Sequence, residues 1–176
     1  APGEDVEVVL DGAAITSSDG PAILVRDAAA ATLTLAPGST NRLEDGGDTD
    51  FDAALAADVS LTIGGEGALE VIGNQNEGIA SSMHLTLTGG DIHVWAVEDG
   101  LNANNDDVSE ITITGGSLFV ETETGDGIDS NGTITITGGT VTTVSSTADM
   151  NGGLDADGDV TIDGGEVIAT GARHLL

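Results

Sequence analysis

Apolar residues alternate with threonine through most of this chain, as in Ile111 and Ile113 and then Leu118 and Val120, and a period of two sends successive side chains to opposite faces of a strand. The pattern predicts strands throughout and no helices. Five of these runs close on glycine: Leu61 to Gly67, Leu85 to Gly90, Ile111 to Gly116, Ile134 to Gly139 and Val160 to Gly165. Their closing glycines lie 23, 26, 23 and 26 residues apart, a period that suits one turn of a solenoid. Such a turn holds two or three short strands joined by tight glycine turns, the make-up of a parallel β-helix in which each strand pairs with its equivalent one coil away. Alignment of the runs predicts three inward columns: Leu61, Leu85, Ile111, Ile134 and Val160; Ile63, Leu87, Ile113, Ile136 and Ile162; and Leu69, Ile92, Leu118, Val141 and Val167. Val8 to Gly12 and Leu33 to Gly38 read as earlier coils. The expectation is therefore an all-β, single-domain β-helix over residues 1–176, about seven coils stacked to roughly 30 Å at ~4.8 Å per coil.

Charge changes the picture. The 31 acidic residues face 3 arginines and no lysine, a formal charge of −28, which argues against nucleic acid and anionic membrane as partners. The absence of cysteine excludes a disulfide framework and a thiol nucleophile, and no apolar stretch approaches the ~18 residues of a membrane helix. A sequence opening at Ala1 fits a processed secretory product or a trimmed chain, and an extracellular, cell-surface location is expected. Solubility in high salt is one reading of such a surface, but the placement of the acids points further.

They recur in register with the coils: Glu77-Gly78-Ile79, Asp99-Gly100-Leu101 and Asp126-Gly127-Ile128, with Gly152-Gly153-Leu154 lacking the acid and Asp19-Gly20 earlier. Three residues on come Asn102, Asp129 and Asp155; two further come Asn104, Asn131 and Asp157. Carboxylates ~5 Å apart repel by about 3 kcal/mol at an effective dielectric near 20, so a file of them calls for a counter-cation. Calcium suits it, taking six to eight oxygens from carboxylates, amides, carbonyls and water, whereas magnesium suits an all-protein cage less well. Asp48, Asp50 and Asp52 form a further cluster in an acidic loop, as do Asp155, Asp157 and Asp159. Neither continues to the glutamate of an EF-hand. Asp, Asn and Gly also make good turns for their own sake, but turn chemistry alone accepts serine or lysine as readily as an acid.

The phrases Ser18-Asp19-Gly20-Pro21-Ala22-Ile23, Asn76-Glu77-Gly78-Ile79-Ala80-Ser81, the acidic loop at 44–52 and the repeated Ile-Thr-Ile-Thr-Gly-Gly followed by Asp-Gly-Ile resemble the secreted family of carbohydrate-binding domain-containing proteins, whose fold is like that of polysaccharide lyases. The resemblance spans nearly the whole chain. It implies a right-handed parallel β-helix, bound calcium and affinity for acidic plant polysaccharide. The lack of lysine and the ending at Arg173-His174-Leu175-Leu176 depart from that family's pattern.

Eliminative cleavage of a uronate needs a base and cationic groups around the developing enolate. Arg26, Arg42 and Arg173 are scattered, and His84, His93 and His174 show no registered partner. Paired carboxylates for hydrolysis are too abundant for any pair to be singled out. The chain reads as non-catalytic. For sugar binding, Ile72, His93, Trp95 and Phe119 count outward onto neighbouring positions, an apolar patch suited to carbohydrate or to another subunit. Two functions follow: a calcium-binding protein that engages acidic polysaccharide, or a structural subunit whose open ends stack into a calcium-stabilised filament or surface layer. An enzyme on acidic glycan ranks behind both.

Overall fold

The computed structural model describes residues 3–46, 53–106, 108–147 and 151–172. Their regular structure is all strand, arranged as three parallel sheets that follow one another around each coil. The first sheet holds Val6–Leu10, Ala31–Leu35, Leu61–Gly65, Leu85–Leu87, Glu110–Ile113, Thr133–Ile136 and Val160–Ile162. The second holds Ala14–Thr16, Thr40–Glu44, Ala68–Gly73, Asp91–Ala96, Ser117–Thr122, Thr140–Val144 and Glu166–Thr170. The third holds Ile23–Val25, Ala53–Ala57, Glu77–Ser81, Leu101–Ala103, Ile128–Ser130 and Leu154–Ala156. Six complete turns of a single-domain β-solenoid result, with two strands of a seventh. No helix among the described residues is long and apolar enough to cross a membrane.

The register is the one the alternation predicts. Leu85 pairs with Leu61 and Ile111, Leu87 with Ile63 and Ile113, Ile92 with Leu69 and Leu118. These residues are buried, and the third sheet adds a column of Leu55, Ile79, Leu101 and Ile128 that closes the core. Between them an unbroken row of outward threonines runs down the first sheet, through Thr32, Thr62, Thr86, Thr112, Thr135 and Thr161. β-Branched side chains stacked in this way favour the extended backbone and interact from strand to strand. Where the inward columns reach the last described turn, Val160 and Ile162 are 43% and 51% exposed.

Glycine sets the corners. Gly90, Gly116, Gly139 and Gly165 have φ of 93°, 85°, 82° and 80°, a left-handed conformation that other residues adopt at a cost. The corner before them departs from expectation: Gly65, not Gly67, turns left-handed, because Glu66 is an extra residue in that coil. A second corner is fixed by crowding. A Cβ on Gly100 would overlap Val120 and come 2.6 Å from the Gly127 carbonyl oxygen, and one on Gly127 would meet the Gly153 carbonyl oxygen at 2.6 Å. Each glycine of the recurring acid-glycine pair is thus pressed against the core and the coil beneath it. That contact holds the preceding acid at one height and azimuth, turn after turn.

Candidate functional site

The acids stand where the chain enters the third sheet. Backbone bonds from Gly78 to Asp99 (2.9 Å), Gly100 to Asp126 (3.0 Å) and Gly127 to Gly152 (3.0 Å) stack Glu77, Asp99, Asp126 and Gly152 in one column. On the outer face of the same strands, Ala80, Asn102, Asp129 and Asp155 form the next. The first column ends upward at Ala53, the partner of Glu77. Asp19, grouped with these acids by its glycine, lies outside that register, and its amide turns instead toward Ser17 Oγ at 3.3 Å.

Two acids of the first column have a structural task. Asp99 Oδ1 accepts the backbone N–H of Asp126 at 2.8 Å, and Asp126 Oδ1 accepts that of Gly152. Turn chemistry therefore accounts for part of the ladder. It does not account for what the two columns do together. Asp126, Asp129 and Asp155 each place a carboxylate oxygen so that all three lie within 4.8 Å of one another, at half-buried positions. Burial first, then the charges of Asp99, Asp126, Asp155 and Asp157, push the Asp129 carboxyl up to about 7, since both desolvation and like charge disfavour the ionised form.

The described arginines are engaged elsewhere. Arg26 lies 3.3 Å from Asp58, and Arg42 pairs with Glu44 at 3.0 Å and with Glu70. What reaches into the ladder is Asn102, 8% exposed although it faces outward. Its Nδ2 donates to Asp99 Oδ2 at 2.9 Å and to Asp129 Oδ2 at 3.0 Å, while its Oδ1 is buried with no hydrogen-bond partner. Three carboxylate oxygens this close are of the kind a hard divalent cation such as calcium accepts.

The remaining ligand candidates do not join these three carboxylates, although the charge of Asp157 reaches Asp129. Glu77 sits one coil above Asp99; Asn104 and Asp157 are exposed; Asn131 donates to Asp106 Oδ1 at 2.7 Å. Asp48, Asp50 and Asp52 fall outside the described residues. Sequence reasoning passed over Asp45, which is buried, accepts the Asn74 N–H at 2.6 Å and has its carboxyl raised above the usual range chiefly by burial. Only its place before Gly46 marks it.

The outward patch assembles on the second sheet. Trp95 pairs with Ile72, and His93 pairs with Phe119, whose ring it meets edge-on at 4.9 Å between centroids. The expectation that His93 has no registered partner is corrected here, and Arg42, read as scattered, joins the same column. Arg42, Glu70, His93 and Phe119 follow one another down one column, and His93 Nε2 lies 3.3 Å from Glu121 Oε2 in the next. Small residues at Ala13, Ala14 and Ala68 leave a groove of about 630 Å³ beside this column.

The coils define a class, parallel β-helices, and comparison with known proteins agrees with it. A family model described as carbohydrate-binding domain-containing protein matches residues 1–174, and the chain belongs to that family. A solved structure of a polysaccharide lyase-like protein from C. thermocellum, a gadolinium derivative, superposes with a TM-score of 0.76 at 30% identity, covering 95% of this chain and 73% of that one. No curated protein matches.

Proposed function

We propose that this chain is a non-catalytic, extracellular calcium-binding module that holds acidic polysaccharide at the cell surface. The convergence of Asp126, Asp129 and Asp155 carries the reading, because a bound cation shared between these carboxylates and a uronate removes the repulsion that a charge of −28 otherwise imposes. Calcium supplies the positive charge. Asp126, Asp129 and Asp155 hold it, and the glycine corners fix their heights.

A non-catalytic role is supported by where the cationic groups sit. Among the described residues, Arg42 pairs with Glu44 and Glu70 and His93 lies against Glu121 on the second sheet, and Arg26 lies against Asp58, whereas Asp129 and Asp155 are on the third, so these groups are not gathered beside the acids as the base and enolate-stabilising charge of an eliminative lyase would be. Ile72, His93, Trp95 and Phe119 offer the glycan an apolar shelf with polar flanks. The test is retention of oligogalacturonate by the protein in calcium and in chelator. Binding that vanishes with the chelator supports the reading, and binding of equal strength in both rejects it.

A second reading, a subunit that stacks end to end, is favoured by one observation. Val160 and Ile162 continue the inward columns yet are exposed, as is Ile168, an apolar surface that a second copy of the chain can cover. Light scattering with calcium added separates the readings, since a strictly monomeric particle rejects stacking.

A further inference from the structure

Asn102 occupies the same column as Asp129 and Asp155 but carries an amide. Both hydrogens of that amide go to carboxylates of two successive coils, so its nitrogen, the positive end of the group, stands between Asp99 and Asp129 as a small cation would. The other end of the amide gains nothing from this arrangement: Oδ1 is buried and meets no donor. Buried polar atoms without partners are uncommon and call for an explanation.

The two ends of an amide have nearly the same shape, and a half-turn about the terminal torsion exchanges them. Without a cation, the exchanged orientation sets Oδ1 against two carboxylate oxygens, a repulsive arrangement that holds Nδ2 inward. With a cation among the acids the preference inverts, because an amide oxygen is a calcium ligand and an N–H₂ group is not. We propose that Asn102 is a two-position residue: its Nδ2 is the place-holder that donates to the carboxylates of the ladder when no cation is bound, and its Oδ1 turns inward as a ligand when calcium enters.

Aspartate at 102 is a stronger ligand than asparagine but has no second face, leaving the empty ladder with one more unbalanced charge. Asparagine therefore exchanges some affinity for a metal-free protein that stays folded. The loaded orientation rests on the calcium reading above; the empty one rests on the hydrogen bonds alone.

The test uses the full chain labelled with nitrogen-15, with the Asn102 side-chain amide pair assigned by its loss in Asn102→Leu. In chelator, both protons of the pair are expected to exchange slowly with solvent. Saturation with calcium chloride is expected to move the pair and to remove that protection. A pair that is unprotected in chelator overturns the place-holder; a pair that stays unmoved while the Asp126 and Asp129 amides respond overturns the turn of the side chain. If no ladder signal responds and calorimetry finds no calcium binding, the calcium reading fails and the second orientation falls with it, while slow exchange in chelator still establishes the first. Two variants add an independent readout. Asn102→Asp is expected to melt at a lower temperature than wild type in chelator and to bind calcium about tenfold more tightly, whereas Asn102→Leu is expected to lose both, with affinity down about tenfold. Equal melting temperatures in chelator for all three proteins contradict the proposal.

Discussion

Removal of the Asp129 charge gives the sharpest test of the ladder's electrostatics. In the folded protein this carboxyl is pushed from 3.8 to about 7, by burial first and by four neighbouring acids second. In the unfolded chain it titrates near its ordinary value. Between about pH 4 and 7 the folded state therefore holds a proton that the unfolded state has released, and the stability of the metal-free protein falls as pH rises through that window. The interval corresponds to a ceiling of about 4 kcal/mol at ~1.4 kcal/mol per pH unit. Asp129 keeps some contact with solvent, so screening reduces the expected loss to about 2 kcal/mol. For a chain of 176 residues, that is a fall in melting temperature of roughly 4–8 °C between pH 4.5 and 8. General repulsion among the surface acids acts in the same direction, and Asp129→Asn isolates the local effect because it keeps the shape and cannot ionise. Thermal melts of both proteins in chelator across that range are the assay. The expected result is a wild-type profile that falls more steeply than that of the variant by about 2 kcal/mol; identical profiles refute the reasoning. Calcium should reverse the slope, since the cation binds the deprotonated ladder.

Three further outcomes follow from the packing and the two surfaces. Ile113→Ala removes a buried side chain from the middle of an inward column and should cost about 3 kcal/mol in urea denaturation; a loss under about 1 kcal/mol would show that the column is loosely packed. Gly100→Ala drives a methyl group into Val120 and toward the Gly127 carbonyl, and should destabilise by about 2 kcal/mol or more in the same assay while lowering calcium affinity, because Asp99 and Asp126 shift with the corner. Trp95→Ala, on the outer face of the second sheet, should weaken glycan retention about tenfold with the calcium titration unchanged; unchanged retention would move the sugar off this face.

Much of the fold is legible because the core has one rule applied repeatedly. Leu85, Ile111 and Ile134 obey a period of two within each strand and a period near 25 between strands, and parallel pairing maps those two periods directly onto columns. The third-sheet column of Ile79, Leu101 and Ile128 is visible only once the acid-glycine pair before each residue is recognised as a corner. The acid ladder is legible for the same reason as the core. Which acids converge is not, because Asp126 and Asp129 belong to two columns of one coil and Asp155 to the next coil, and no period in the sequence says which of their oxygens meet. The Arg42, Glu70, His93 and Glu121 interactions were missed because ion pairing between surface side chains leaves no periodic trace in a sequence. Asn102 was singled out as an oxygen donor, yet its nitrogen is what faces the acids.

The central claim is that stacking of coils turns separated acids into one cation site. Anomalous diffraction from crystals soaked in a lanthanide, a calcium surrogate with strong signal, tests this most directly. The account predicts a peak bounded by carboxylate oxygens of Asp126, Asp129 and Asp155, at about 2.3–2.6 Å from each, and its disappearance in Asp129→Asn. An empty map at that position, with the ion bound instead at scattered surface carboxylates, would contradict it.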